Sequence, residues 1–243
     1  MTEKQIYAIT ERYYSCFCDT DLSDLQPGIR FVCTQKRDEI VKGFGCRYAI
    51  YLLQKGDRAV IAYAPKYSEF MQSMQGKSFA EILAAVESAH PVSRLHLLVF
   101  EREKVFAYGG ARLLTRADYP LFEAFFRATN PDADPDGWLF DYFTEKAEKE
   151  LLSGCFANDR LVSVCDAPDM PYLDGVIQHT GIMTLACERK KGYAKCAAAL
   201  STHHLLERGI CPQWECDVGN TASRKLAESI GYRSFGEAYI VRE

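Results

Sequence analysis

The sequence has little that would direct it to a membrane or to nucleic acid. None of its apolar runs approaches the roughly 18 residues of a membrane-spanning helix. The first ten residues, MTEKQIYAIT, have neither the basic start nor the apolar core of a signal peptide. The net charge of -4 argues against a general nucleic-acid binder. We therefore expect a cytoplasmic protein with no nucleic-acid or membrane partner, in which any anion-binding site is local.

Paired metal-ligand spacings are also absent. The ten cysteines include no CxxC motif, and the five histidines show no ligand spacing. The cysteines are scattered through a chain of 243 residues, which is too long for a small disulfide-stapled fold. We therefore expect free thiols in a reducing compartment and no metal site. The content of 48% hydrophobic and 26% charged residues is that of an ordinary globular protein.

The first hundred residues predict a small mixed α/β lobe, assigned to 1–103. Strands are expected at GIRFVCT, RYAIYLLQ and RAVIAYA, and a turn at 54–57 joins the last two. A helix is expected at 78–89, with Ser78 as its N-cap, and a strand at 92–101. The sequence leaves open whether this lobe shapes a substrate pocket or mediates formation of a homodimer.

Residues 104–243 predict an α/β domain in which helices flank a mixed central sheet. The predicted elements are a strand at 104–115, helices at 117–129 and 137–154, a hairpin at 154–167, a strand at 176–186, a helix at 191–209, a strand at 212–218, a helix at 221–230 and a strand-forming end. Asp118 is expected to cap the first of these helices, and Pro120 lies in its first turn. The hairpin is expected to turn at Asn158 and Asp159.

The stretch ERKKGYAKCAAAL, residues 188–200, gathers positive charge where a helix must begin. Its cations are Arg189, Lys190, Lys191 and Lys195. The free N–H groups of a first helical turn and the positive end of the helix dipole bind anions. Gly192 and Ala194 keep side-chain bulk away from the backbone there. The stretch predicts a phosphate or pyrophosphate site, and a solvated basic loop before an ordinary helix is the alternative.

Two motifs carry a family resemblance. The string R-x-x-G-x-A that begins at Arg189, placed between a strand and a helix, resembles the acetyl-CoA pyrophosphate loop of the GNAT N-acetyltransferases. Downstream, CPQWECDVGNTASRKLAESIGY resembles the second half of that superfamily's signature, in a form closest to the FR47-like, antibiotic-resistance-type branch. The resemblance covers about residues 104–243. It implies an acetyltransferase domain that uses acetyl-CoA or another acyl-CoA, with direct transfer to a primary amine of a small molecule in a ternary complex.

The resemblance also implies a set of cofactor-binding residues. The pantetheine arm would follow the strand that ends at Leu185, and backbone amides between Lys190 and Lys195 would hold the pyrophosphate. Asn220 and Ser223 match polar contacts to the cofactor, although a plain N-cap is the alternative for Asn220. The full set is Met183, Thr184, Leu185, Arg189, Lys190, Lys191, Gly192, Tyr193, Ala194, Lys195, Asn220 and Ser223.

Two departures from the family pattern concern the chemical step. The strand before the loop has no Asp or Glu to serve as a general base, so His179, which titrates near neutrality, is the candidate. The tyrosine that relatives carry seven residues after the motif Asn is replaced by Ala227, so Tyr239 is the candidate proton donor. The alternatives are a hydrogen-bonded strand residue for His179 and an aromatic packing residue for Tyr239.

The acidic loop DADPDGW, residues 132–138, lies between two predicted helices, where the resemblance implies the acceptor site. Asp136 and Trp138 are therefore candidate contacts for a cationic amine, and an exposed turn is the alternative. The missing carboxylate and tyrosine favour a rival hypothesis, a non-catalytic CoA-binding or acyl-CoA-binding regulatory module with a GNAT fold. A second rival, an interaction domain that uses RKKGYAK as a basic patch, is opposed by the acidic net charge.

Overall fold

The computed structural model describes residues 1–101 and 109–243. The helices are α1 Glu3–Cys18, α2 Ser68–Gln72, α3 Phe79–Ala89, α4 Tyr119–Thr129, α5 Leu139–Glu148, α6 Tyr193–Glu207 and α7 Thr221–Ile230. The strands are β1 Gly28–Cys33, β2 Tyr48–Lys55, β3 Arg58–Tyr63, β4 Val92–Phe100, β5 Ala111–Leu113, β6 Ser153–Ala157, β7 Arg160–Asp166, β8 Ile177–His179, β9 Gly181–Thr184, β10 Cys211–Asp217 and β11 Tyr232–Arg242.

These strands form two sheets. The larger sheet has the order β1-β3-β2-β11-β4-β10-β8, and the smaller has the order β5-β6-β7-β9. The pairs β1/β3 and β8/β10 are parallel, while the other pairs are antiparallel. Helices pack on both sheets. The predicted fold class, a mixed sheet flanked by helices, is therefore confirmed.

The larger sheet joins the two halves of the chain. Strand β11, from the C-terminal end, lies between β2 and β4, and β4 in turn lies between β11 and β10. Ala238 and Ile240 of β11 enter one core, while Tyr239 and Val241 enter the core on the opposite face. A strand buried on both faces and both edges cannot be separated from its neighbours. The proposed division at residue 103 therefore does not coincide with a break in the sheet.

Helix α1 covers one face of the larger sheet. This segment has no predicted element, although it begins with a capping box between Thr2 and Gln5. Tyr14 and Phe17 of α1 pack in the main core with Tyr51 of β2. Helices α2 and α3 supply core residues on the opposite face of β2 and β3. Helices α4 and α5 form a separate core with the smaller sheet.

Several predicted local elements are confirmed, and others end elsewhere. The β2–β3 hairpin, the Ser78 capping box of α3 and the left-handed turn at Asn158 and Asp159 are present. Asp118 makes no side-chain cap for α4; its carboxylate binds Arg112 and the Thr115 N–H instead. Helix α5 ends at Glu148 rather than at 154. Most of the strand predicted at 104–115 lies outside the described residues, and β5 is its described part.

The cysteines and the helices can be compared with the expectations of free thiols and of no membrane-spanning segment. All ten cysteines are free thiols. In the described part of the chain, none of the helices combines the length and the apolar character that a membrane crossing requires.

Candidate active site

The strand predicted at 176–186 divides at Thr180 between the two sheets. Its first part, β8, pairs with β10 in parallel up to His179 opposite Gln213. The Thr180 N–H then donates to the Gln213 C=O at 3.0 Å. Beyond this point the chain continues as β9, which pairs with β7. Strands β9 and β10 therefore diverge after Thr180, and a cleft opens between β9 and the first turns of α7, the helix that follows β10.

The edge of β9 turns backbone groups toward this cleft, and one of them, the Thr184 C=O, accepts from Nε of Arg189 at 3.4 Å. The Leu185 N–H donates to the Val162 C=O of the β7 side at 3.0 Å. Hydrogen-bonded and non-bonded residues alternate along an antiparallel pair. Ile182 and Thr184 consequently direct their N–H and C=O groups away from β7, in the direction in which Thr180 binds β10. The cleft thus has an open strand edge as one wall.

The N-terminus of α6 forms the end of the cleft. Gly192 occupies the N-cap with φ of +90° and provides no side-chain cap, and Lys190 also has a positive φ of +65°. The first intrahelical bond runs from the Cys196 N–H to the Gly192 C=O at 3.2 Å. A first turn of this kind, without a cap from the described chain, offers N–H groups and the positive end of the helix dipole to an anion.

The cleft has a volume of about 700 Å³. Its charged lining residues are the cations Arg189, Lys190, Lys195 and Lys225 and the anion Glu188. The excess of positive charge at a helix N-terminus suits a phosphorylated ligand. Lys225, on α7, was not identified from the sequence, because the second motif gave no weight to its position.

Ten of the twelve predicted cofactor residues line this cleft: Met183, Thr184, Arg189, Lys190, Gly192, Tyr193, Ala194, Lys195, Asn220 and Ser223. The other two lie elsewhere. Leu185 is buried in the core beneath α4 and α5. The Lys191 ammonium pairs with the Glu188 carboxylate at 2.9 Å.

The two predicted polar residues of α7 have structural partners. Asn220 is the N-cap, and its Oδ1 accepts from the Ser223 N–H at 3.1 Å. The Ser223 hydroxyl accepts from Nε1 of Trp214 at 3.0 Å. Both side chains are therefore held at the cleft wall by the protein itself.

His179 is the last residue of β8, one position before Thr180. Its Nδ1 lies 2.6 Å from Oε1 of Gln213 on β10. Nε2 of Gln213 lies 2.6 Å from the Tyr14 hydroxyl of α1. His179 is thus part of a hydrogen-bonded chain on the face that α1 covers, next to the point where the cleft opens.

A carboxylate that was not identified from the sequence, that of Asp166, interacts electrostatically with His179. Asp166 ends β7 and pairs in register with Gly181. Its Oδ1 accepts from the Tyr142 hydroxyl at 2.7 Å and from the Ala167 N–H at 2.8 Å. Burial raises the pKa of the Asp166 carboxyl, while the Tyr142 hydrogen bond and the charge of His179 act in the opposite direction. The sheet pairing, rather than the sequence, brings this carboxylate to the site.

Trp138 and Asp136 differ in their relation to this region. The Trp138 ring is 44% exposed and lies 6.1 Å from the ring of Tyr142, the partner of Asp166. Asp136 instead accepts a hydrogen bond from Arg127 at 3.0 Å on the surface. Of the two predicted acceptor residues, Trp138 is therefore the one that lies near a residue in contact with Asp166.

Tyr239 lies away from the cleft. It packs with Phe79 of α3 on the opposite face of the larger sheet, and its hydroxyl donates to Glu237 at 2.6 Å. Burial and the Glu237 carboxylate raise the pKa of Tyr239 to about 12. The alternation of β11 directs this residue into the α3 core, so Tyr239 is not positioned to protonate a group in the cleft.

Comparisons with known proteins agree with this geometry. Residues 155–241 match the model of the GNAT acetyltransferase family. An acetyltransferase of the GNAT family from Colwellia psychrerythraea is 15% identical, with a TM-score of 0.55 over 75% of each chain. A GCN5-related N-acetyltransferase from Sphaerobacter thermophilus is 17% identical, with a TM-score of 0.53 over 69% of this chain and 57% of its own. No curated protein matches the sequence. The protein therefore has the fold of the GNAT acetyltransferases.

Proposed function

We propose that the protein is an acetyl-CoA-dependent N-acetyltransferase that acts on a primary amine of a small molecule in a ternary complex. The observation that carries this proposal is the cleft between β9 and α7, which ends at the N-terminus of α6. The form of its second motif supports a place in the FR47-like branch. Ten free thiols agree with a reducing, cytoplasmic compartment.

The cleft residues fit acetyl-CoA in three respects. The backbone edge at Ile182 and Thr184 suits the amides of a pantetheine arm, as it would suit an added strand. The first turn of α6, beginning at Gly192, suits the pyrophosphate. Lys190 and Lys225 add positive charge beside it. When bound, acetyl-CoA supplies an activated thioester for acyl transfer.

The chain's own contribution to the reaction is to hold the acyl oxygen and to move a proton. We assign the Ile182 N–H, which faces the cleft, to the acyl oxygen. We assign His179 as the general base that takes the proton of the acceptor ammonium. Asp166 then stabilises the protonated imidazole by its negative charge. Ala227, where relatives have a tyrosine, is buried and has no proton to donate, so the thiolate would receive, through water, the second proton that the amine nitrogen loses as the amide forms.

We place the acceptor at the start of α5, beside Trp138. Trp138 is the exposed aromatic residue next to Tyr142, and an aromatic face attracts a cationic amine by about 0.5 to 1 kcal/mol at such a site. Acceptor amines with an apolar body next to the amine are therefore the first to examine.

The experiment has a binding arm and a turnover arm. Acetyl-CoA at about 100 times its Kd should raise the free energy of unfolding by roughly 2.7 kcal/mol, measured as a rise in Tm. The double variant Arg189→Glu, Gly192→Glu should lose this rise. Release of free thiol from acetyl-CoA is then measured with a panel of primary amines. A rise in Tm without thiol release would favour the non-catalytic CoA-binding module, and no rise at all would remove both functions.

A further inference from the structure

A closed set of hydrogen bonds surrounds Gln213, which is 1% exposed. Its Nε2 lies 2.6 Å from the Tyr14 hydroxyl and 3.3 Å from Oε2 of Glu215. Burial and then the charge of Glu215 raise the pKa of the Tyr14 hydroxyl, so the carboxylate acts on both partners of the amide. On the other side, Oε1 of Gln213 lies 2.6 Å from Nδ1 of His179. One buried amide therefore connects a carboxylate to the imidazole.

The orientation of this amide follows from its partners. A carboxylate only accepts hydrogen bonds, so the group of Gln213 that faces Glu215 must be the NH₂. The Tyr14 hydroxyl can then accept from that NH₂ and donate its own proton to Glu215. In the flipped orientation the amide oxygen would face the carboxylate, and two acceptors would meet in a buried place.

With the amide fixed, the oxygen of Gln213 faces His179. An amide oxygen accepts but does not donate, so Nδ1 of His179 must carry a proton. The neutral ring then has its lone pair on Nε2, which is the atom left to take a proton from elsewhere. Glu215 thereby determines, through one amide, which nitrogen of His179 is the basic one.

We infer that Gln213 is a positioning residue that holds His179 in the Nδ1-protonated form, and that Glu215 and Tyr14 fix Gln213 for this purpose. The inference deepens the proposed function, since it rests on His179 as the general base. It assigns Gln213, Glu215 and Tyr14 a part in the reaction without contact with the reacting atoms.

Other charged groups face the same region and enter any pH profile. Asp166 of β7 interacts electrostatically with His179, and Lys146 of α5 acts on Asp166 in turn. On the other side are Glu215 of β10 and Tyr14 of α1. A shift in the pH profile is therefore assigned to His179 only where it follows a change in Gln213 and leaves Asp166 intact.

The direct test is the tautomer of His179 in the unmodified protein. Nitrogen-15 NMR of the histidine side chains distinguishes a protonated Nδ1 from a protonated Nε2, and His179→Gln identifies the signal. We expect the proton of the neutral ring to be on Nδ1. A neutral His179 with its proton on Nε2 would overturn it. This measurement needs neither an acceptor nor turnover.

Two variants of the same residue then separate positioning from packing. Gln213→Leu keeps the volume but removes the acceptor, so the proton should divide between the nitrogens. We expect kcat to fall about 10- to 100-fold, as when the partner that orients a functional histidine is lost, with the KM for acetyl-CoA unchanged. Gln213→Glu, made together with Glu215→Gln so that two carboxylates do not meet, keeps an acceptor for Nδ1 and should retain the tautomer. The charge now next to the imidazole should move the acid limb of the kcat profile to higher pH.

Cys211→Ala is the matched control. Cys211 lies two residues before Gln213 on the same strand and also packs against α1, where its sulfur lies 3.7 Å from the Thr10 hydroxyl. This variant should leave the tautomer and the acid limb unchanged. The inference fails if Gln213→Leu leaves the tautomer as it was, or if Cys211→Ala changes it equally. Failure of the proposed function would give a different result, namely no thiol release by the unmodified protein.

Discussion

The indole Nε1 of Trp214 donates to the Ser223 hydroxyl at 3.0 Å, and this bond ties the first turn of α7 to the core of the larger sheet. Trp214 is 1% exposed and packs edge-on against Tyr232 of β11. The cleft wall formed by α7 is therefore set by core packing. On the other wall, β9 is held by its pairing with β7. Both walls exist before any ligand binds, so little ordering is needed on binding.

Gly192 should matter for acetyl-CoA binding beyond its effect on stability. Its φ of +90° strains any L side chain, and the space around its Cα is open toward the cleft. Gly192→Ala should lower the free energy of unfolding by about 1 to 2 kcal/mol. The added methyl group would also take up space at the first turn of α6, where we propose that the pyrophosphate binds. The Kd for acetyl-CoA should therefore rise at least tenfold. Urea unfolding and calorimetric titration measure the two effects.

Gly209 provides the matched control for this glycine. It lies just beyond the other end of α6, with φ of +73° and open space around it. Gly209→Ala should cost a similar free energy of unfolding but leave the Kd for acetyl-CoA unchanged. Equal Kd values for the two variants would mean that the first turn of α6 does not hold the pyrophosphate.

Lys190 and Lys191 are adjacent in sequence but should differ in their effect on acetyl-CoA binding. Lys190 lines the cleft, whereas the Lys191 ammonium pairs with Glu188 at 2.9 Å. Lys190→Gln should weaken acetyl-CoA binding about tenfold, which corresponds to roughly 1.4 kcal/mol. Lys191→Gln should change the Kd by less than about threefold. Fluorescence titration at low and high salt would show a smaller salt dependence for the first variant only.

The fold was predictable where structure is local. The helix α7 and the β2–β3 hairpin follow from caps, turns and periodicity within a few residues. The place of β11 between β2 and β4 was not predictable in this way, because partners 132 to 194 residues apart leave no mark in a local pattern. Helix α1 was missed although Thr2 and Gln5 form a capping box, a signal that the sequence does contain.

The candidate site was likewise predictable where its residues are contiguous in sequence and not where strand pairing brings them together. The predicted pyrophosphate-binding segment, residues 189–195, is contiguous in sequence, so its motif identified most of the cleft. Asp166 and Gln213 reach His179 only through strand pairing, and neither has a local signature. The division of one predicted strand at Thr180 was not predicted either, since it depends on the strand with which each part pairs. Tyr239 was misplaced because its face depends on the register of β11.

Asp118 should make stability depend on pH in the acid range. The Arg112 guanidinium, with burial opposing it, lowers the pKa of Asp118 from 3.8 to about 2. A carboxyl group with a lowered folded-state pKa stabilises the fold above its unfolded pKa, and this contribution is lost as the pH falls through the folded value. Asp118→Asn should therefore lower the free energy of unfolding at pH 7 by about 1 to 2 kcal/mol, allowing for solvent screening.

The difference between Asp118→Asn and the unmodified protein should disappear between about pH 4 and pH 2 in urea unfolding. Asp136→Asn is the control, because the Asp136 carboxylate meets Arg127 on the open surface. It should change the free energy of unfolding by less than about 1 kcal/mol at any pH. A difference for Asp118→Asn that persists at pH 2 would mean that the Arg112 ion pair is not its source.

Asp166 should affect stability and activity in opposite directions. Burial raises the pKa of its carboxyl above 3.8, so ionisation costs the folded protein free energy at neutral pH. Asn at this position keeps an oxygen for the Tyr142 hydroxyl and the Ala167 N–H but carries no charge. Asp166→Asn should therefore be more stable than the unmodified protein at pH 7, with a gain that is absent below pH 3.8, grows up to the folded-state pKa and is constant above it. Its kcat should fall about tenfold, roughly 1.4 kcal/mol, because the protonated imidazole of His179 loses its neighbouring charge.

The control is Tyr142→Phe, which removes the hydroxyl that binds Asp166 but leaves the charge of Asp166. This variant should lower stability but keep most of kcat. A variant Asp166→Asn with full activity would remove this carboxylate from the proposed reaction.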